Sequence, residues 1–208
     1  MTLARTLLAT TLSLALTAAY GKTPVATGTG GAVATISDQA SQAAMAILNK
    51  GGNAVDAAVA AAATLGVTDP FSCGIGGGGF MMVYLAKEKR VITIDHRETA
   101  PAAATPSLFL ENGREMDFDM AVASGASVGV PGTVRGWHEA LTRYGTMSFK
   151  DVLQPAISVA GKGFPVSETF SHLTAQNETK FRRFASTSAL YLRDGKALRA
   201  GTVLKNPG

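Results

Sequence analysis

A single cysteine, Cys73, occurs in 208 residues. That excludes an intrachain disulfide, a disulfide framework and a cysteine-rich zinc site, so stability has to come from packing. Charged residues make up only 16% and aromatics 7%, against 46% hydrophobic. A chain this poor in charge buries a core, which excludes disorder for most of it, and its length suits one domain rather than two large ones. The G-x-S-x-G match Gly125-Ala126-Ser127-Val128-Gly129 falls at the end of a turn-rich stretch and not between a strand and a helix, so a serine-hydrolase assignment has no local support. His96, His138 and His172 lie far apart, and none has a second His or Cys at metal-ligand spacing. Each is expected on the surface or on a helix face. Cys73 has no activating neighbour in sequence and is expected buried and inert.

The formal charge is +4, and its distribution argues against nucleic acid as a partner. Lys180, Arg182, Arg183, Arg193, Lys196, Arg199 and Lys205 face only Glu178 and Asp194 between Phe170 and the C-terminus. A local patch of this kind meets an anionic partner chain as readily as nucleic acid.

The N-terminus has the charge order of a secretory signal peptide. Arg5 is followed by an uncharged apolar stretch from Thr6 to Ala19, with the small residues Thr17 and Ala19 at the −3 and −1 positions of a cut before Tyr20. This stretch is shorter than the ~20 residues that span a bilayer. Residues 1–19 are therefore expected to be a signal peptide, residues 20–31 a Gly- and Thr-rich leader, and residues 32–208 the folded part. The location is periplasmic or secreted, without a stable membrane anchor; the alanine-rich run from Ala54 to Leu65 carries Asp56 and stops at Gly66.

In the mature chain Ala32 to Ile36 has the composition of a buried strand. Ser37 or Asp38 caps a helix whose face is Ala40, Ala43, Ala44, Ile47 and Leu48, ended by Lys50 and Gly51. Asn53 and Asp56 have N-cap and N3 spacing for a second helix from Ala54 to Leu65, apolar nearly all round and so buried. Phe80 to Leu85 and Val91 to Asp95 read as strands. From Pro101 to about Ser127 turn signals dominate. Helices are then expected over Thr133–Tyr144, over Ser148–Ala160 with Pro155 bending or delaying it, and over Ser167–Asn177, and a small hairpin around Asp194-Gly195.

Two stretches carry candidate chemistry. Gly76-Gly77-Gly78-Gly79 precedes a strand, whereas a phosphate loop follows a strand and opens a helix, and no Lys-Ser or Lys-Thr comes after it. A crowded backbone crossing explains four glycines better. Asp95-His96-Arg97-Glu98 puts four ionisable groups at a strand end. Either this is a solvated end with an Arg–carboxylate pair worth little, or Arg97 is a bidentate clamp for a substrate carboxylate, whose geometry suits its planar fork.

Together with Gly51-Gly52-Asn53-Ala54-Val55-Asp56-Ala57-Ala58-Val59-Ala60, Gly74-Ile75 before the glycine run, Thr99-Ala100-Pro101 after Glu98, Val130-Pro131-Gly132-Thr133 and Leu153-Gln154-Pro155-Ala156-Ile157, these stretches resemble the N-terminal part of the large subunit of gamma-glutamyltransferase, or glutathione hydrolase, in order and spacing. The resemblance implies an α+β fold, part of the αββα sandwich of N-terminal-nucleophile hydrolases. It also implies a precursor cut into large and small subunits, and a small-subunit N-terminal threonine that passes a gamma-glutamyl group from donors such as glutathione to water, an amino acid or a peptide. A hydroxyl needs an adjacent base for this, and the tetrahedral oxyanion needs N–H donors. Arg97 then maps to the arginine that binds the donor α-carboxylate. No cofactor or metal is implied, and no catalytic residue falls in this chain. Family members continue for several hundred residues past Asn206-Pro207-Gly208, so the chain is expected to be inactive without the remaining large-subunit and small-subunit polypeptide. Related acylases share the fold, and a non-catalytic exported binding or structural domain is the rival reading.

Overall fold

The computed structural model describes residues 27–206. From Val33 onward the described chain forms one compact unit, and residues 27–32 before it are irregular chain. The expected signal peptide lies outside the described residues. Residues 32–36, expected to form a buried strand, have no ladder partner among the described residues. Ile36 is 78% exposed. An apolar extended segment becomes a strand only where another edge accepts its hydrogen bonds; here Thr35 instead bonds Ser37 and Ser41 and leads into the first helix.

That helix, α1 (Asp38–Asn49), is capped by Ser37, whose hydroxyl accepts the Ala40 N–H, and it buries the expected face of Ala40, Ala43, Ala44 and Ile47. Gly51, at φ 88°, supplies the left-handed turn that ends it. Asn53 and Asp56 form a capping box at the start of α2 (Ala54–Thr68), which is buried on almost every side. It runs three residues past the expected Leu65, and its buried Thr64 and Thr68 hydroxyls stay satisfied by donating to the Ala60 and Thr64 carbonyls. Small alanine side chains let its neighbours approach closely. The short α3 (Pro70–Cys73) leads into the glycine run.

Strands β1 (Phe80–Leu85) and β2 (Arg90–Asp95) pair antiparallel in register from Phe80↔Asp95 to Leu85↔Arg90. Met81, Val83, Ile92 and Ile94 pack on the helical core. The other face is equally apolar yet open, with Phe80, Met82 and Tyr84 at 65%, 74% and 63% exposure. The stretch expected to be loop holds a small hairpin, β3 (Leu110–Glu111) with β4 (Arg114–Glu115), around Asn112-Gly113, and a short helix α4 (Phe118–Val122) capped by Asp117.

Helix α5 (Thr133–Tyr144) contributes Trp137, Ala140 and Leu141 to the core. Helix α6 (Phe149–Lys162), capped by Ser148, contributes Val152 and Ala156; it begins directly after its cap, so Pro155 lies inside it without delaying it. A second apolar cluster of Phe164, Val166, Phe170, Leu198 and Leu204 lies under the last elements. These are β5 (Phe164–Pro165), α7 (Glu168–Gln176), α8 (Glu178–Phe181), α9 (Ala185–Tyr191), the expected hairpin β6 (Leu192–Arg193) and β7 (Lys196–Ala197), and β8 (Val203–Leu204), which pairs with β5. The result is an α+β architecture with a helical layer on one face of an antiparallel hairpin. No helix among the described residues is long and apolar enough to cross a membrane.

Candidate functional site

The glycine run, the end of β2 and the start of α5 meet at one place. The His96 N–H donates to the Gly79 carbonyl at 2.9 Å, Gly79 returns a bond to His96, and the Gly132 and Thr133 N–H groups both donate to the Gly77 carbonyl. Thr99 and Val130 exchange a further pair of backbone bonds. The crowded crossing expected of the glycines is what the structure has. A Cβ on Gly78 would stand 2.7 Å from the Glu98 nitrogen, and one on Gly132 would fall on the His96 carbonyl.

His96 departs from expectation, because it lies neither on the surface nor on a helix face. Its half-buried ring lodges between Gly79 and Gly136, where a Cβ on Gly136 would be 2.7 Å from the His96 Cβ. Its Nδ1 is buried without a hydrogen-bond partner among the described residues. The absence of a side chain at Gly136 makes room for this ring, a relation across forty positions that spacing in sequence does not reveal. His138 and His172 are exposed on α5 and α7, as expected. Cys73 is half-buried rather than buried; burial first, and the Asp69 carboxylate second, push its thiol pKa up, so it is a weak nucleophile.

Arg97 sits on the rim of this junction. Asp95 fixes its backbone by accepting the Arg97 N–H at 3.0 Å. Its Nη1 lies 3.4 Å from Glu98 Oε2, close enough for an ion pair, and its side chain is 59% exposed against 29% for Glu98. The Glu98 carboxylate lies over Gly77 and Gly78, and its Oε2 is buried without a hydrogen bond. Glu98 therefore lies beside the guanidinium at ion-pair range without hydrogen-bonding it, and more than half of the arginine side chain stays open. Two clefts open from Arg97: one of about 760 Å³ along the glycine run toward Trp137, and one of about 390 Å³ along α5. Among the described residues no group of three or more His, Cys, Asp or Glu side chains is placed to hold a metal ion.

A second polar centre, which spacing showed only as a helix cap, braces the same elements. The fully buried Asp56 carboxylate accepts the Asn53 N–H at 2.8 Å, the Thr146 N–H at 3.0 Å, the Thr146 hydroxyl at 2.7 Å and the Met147 N–H at 3.2 Å. Asn53 Nδ2 donates to the Tyr144 carbonyl at 2.6 Å. The start of α2 is thereby clasped to the turn between α5 and α6.

A helical layer on one face of a sheet is part of the αββα arrangement of N-terminal-nucleophile hydrolases. The chain belongs to the gamma-glutamyltranspeptidase family, whose match covers residues 40–208. It is 46% identical over 178 residues to the glutathione hydrolase proenzyme of Bacillus subtilis strain 168, covering 85% of this chain and 30% of that protein. It is 41% identical over 185 residues to the acylase ACY 1 proenzyme of Pseudomonas sp. strain V22, with 86% and 33% covered. The crystal structure of Helicobacter pylori gamma-glutamyltranspeptidase superposes with a TM-score of 0.82 at 29% identity, covering 88% of this chain and 52% of that one. The chain thus spans about 30% of the length of the first of these relatives.

Proposed function

We propose that this chain supplies the donor-carboxylate site of an exported gamma-glutamyltransferase, with Arg97 as the fork that holds the α-carboxylate of a gamma-glutamyl compound such as glutathione. The observation that carries this reading is the placement of Arg97: fixed through its backbone by Asp95, at ion-pair range of Glu98, and more than half exposed beside a cleft. A guanidinium so placed matches two carboxylate oxygens at once. The nucleophile is assigned to the small-subunit polypeptide of the family, so the 208-residue chain alone is expected to release no chromophore from a gamma-glutamyl anilide above the buffer rate. Release that one threonine or serine substitution in this chain abolishes would overturn that assignment.

The donor site is tested by supplying the remaining large-subunit and small-subunit polypeptide of a relative and comparing wild type with Arg97→Lys. Lysine keeps the charge and loses the fork, which costs about 1.5–3 kcal/mol of charge-assisted hydrogen bonding. The expected fall in kcat/KM is roughly ten- to more than a hundredfold, at about 1.4 kcal/mol per decade. Melting should barely change, because an ion pair this exposed contributes under about 1 kcal/mol to folding. Unchanged kcat/KM would remove Arg97 from the donor site.

The similarity to an acylase proenzyme keeps a second substrate class in view. Parallel assays with a gamma-glutamyl anilide and an acylase substrate separate the two. Export with loss of residues 1–19 is part of the same reading, and mass spectrometry of the secreted or periplasmic protein checks it. An intact Met1 on cytoplasmic protein would contradict it.

A further inference from the structure

Residues 100–129 are tied to the rest of the protein almost nowhere. None of them is buried, and none belongs to either apolar cluster. Their backbone hydrogen bonds close inside the segment: Met116 donates to the Phe109 carbonyl across the β3–β4 hairpin, and Ala121 to the Asp117 carbonyl in α4. Among the described residues the one hydrogen bond that leaves the segment runs from Arg183 Nη2, between α8 and α9, to Met120 Sδ at 3.4 Å. The two ends are pinned together where Thr99 and Val130 exchange backbone bonds. A segment with its own bonds, no buried contacts and both ends at one place moves as a body on its base.

That base is a wall of the smaller cleft, where Thr99 and Val130 stand with Arg97 and Arg135. Arg135 is exposed on α5 and has no ion-pair or hydrogen-bond partner among the described residues. The segment carries Glu111, Glu115, Asp117 and Asp119 against Arg114 alone, in a chain whose net charge is +4. None of these side chains is in an ion pair among the described residues. Unpaired carboxylates hinged beside two exposed guanidinium groups are drawn to them, the more so at low salt. The Arg183 contact opposes that pull, and it is slight, because a thioether sulfur is a weak acceptor. With the contact made, Arg97 is 59% exposed and the cleft stands open.

We infer that residues 100–129 are an autoinhibitory strap, which swings on its Thr99–Val130 base to set its own carboxylates on Arg97 and Arg135, and which Arg183, seated on Met120, holds open. Closed, a strap carboxylate occupies the guanidinium that a ligand carboxylate needs. The identity of the ligand so excluded rests on the proposed function; the swing and the closure do not.

Phenylglyoxal labelling of the arginines in the 208-residue chain, read residue by residue by peptide mass spectrometry, measures how open Arg97 is whatever its ligand. Arg183→Ala is expected to slow the labelling of Arg97 several-fold and to leave Arg193, exposed on β6, at its wild-type rate. Met120→Ala takes the same contact apart from its other side and should reproduce that result. Concentrated salt should restore the Arg97 rate in both variants, and so should adding Glu111→Gln, Glu115→Gln and Asp119→Asn to Arg183→Ala, because each weakens the attraction that closes the strap. Unchanged or faster labelling of Arg97 in both Arg183→Ala and Met120→Ala would overturn the strap, as would a slowing that neither salt nor the neutral variants relieve. Labelling of Arg97 that L-glutamate fails to protect in wild type, together with the expected slowing in Arg183→Ala, would leave the strap standing and sink the donor reading instead.

Discussion

Asp56→Ala is expected to destabilise the protein by about 3–5 kcal/mol, because it removes one acceptor from several donors at once. Each donor left unsatisfied in a buried setting costs about 1–3 kcal/mol, and the outer position of Thr146 lets water relieve part of that. At roughly 2–4 °C per kcal/mol for a chain of this size, the melting temperature should fall by roughly 6–20 °C. Asp56→Asn fills the same space but turns an amide NH2 toward N–H donors, so it should fall between the two.

The pH dependence follows from the same carboxylate. Burial alone would raise its pKa; the hydrogen bonds from the Thr146 side chain and from the Asn53, Thr146 and Met147 backbones outweigh burial and hold it below the usual Asp value. A folded pKa lower than the unfolded one means that the unfolded chain binds the proton more readily. The contribution of Asp56 is thus fully present above the ordinary value of about 3.9 and is lost as pH falls through the lower folded pKa. Urea unfolding at pH 7 and near pH 3 should show wild type losing more stability on acidification than Asp56→Asn. Equal losses in both would show that the clasp does not hold an ionised carboxylate.

The same residues mark how far the sequence could be read. The Asn53–Asp56 capping box was legible because its partners lie within one turn, whereas the bonds from Asp56 to Thr146 and Met147 join positions 90 and 91 residues apart, and nothing local announces them. Helices with a clear apolar period, such as α1, were legible to within a residue or two. The hairpin was legible as two apolar runs, but Phe-Met-Met-Val-Tyr-Leu is apolar on both faces, the pattern of a strand covered on both sides, while Met82 is 74% exposed here. Residues 32–36 have similar composition and no partner edge among the described residues. Arg97 was legible as a fork at a strand end; Arg135 was not, because only the fold of α5 brings it to the same cleft. His96 was misplaced for a steric reason: its burial depends on two glycines, Gly79 before β1 and Gly136 in α5, making room for one ring.

That steric reasoning gives the other large effect. In Gly132→Ala the added methyl falls on the backbone carbonyl of His96, 2.7 Å from its carbon, and 3.2 Å from the Arg97 oxygen. These are main-chain atoms held by their own ladder to Gly79, and Gly132 is itself tied to the Gly77 carbonyl at 2.9 Å, so no side-chain rotation makes room. The start of α5 has to separate from the end of β2, at a cost of about 3 kcal/mol or more, the upper range for overpacking. Gly136→Ala differs in kind, because the three atoms nearest its methyl all belong to the His96 side chain, so His96→Gly should rescue Gly136→Ala and fail to rescue Gly132→Ala. Gly161, inside α6 with nothing within 4 Å of an added Cβ, supplies the opposite sign. Gly161→Ala should stabilise by about 0.5–1 kcal/mol through helix propensity. Thermal melting of the single variants and of the two double variants with His96→Gly reads all of this in one series. If Gly132→Ala melts with wild type, the strand end carrying Arg97 and the start of α5 are not in contact, and the cleft between them does not exist as a site.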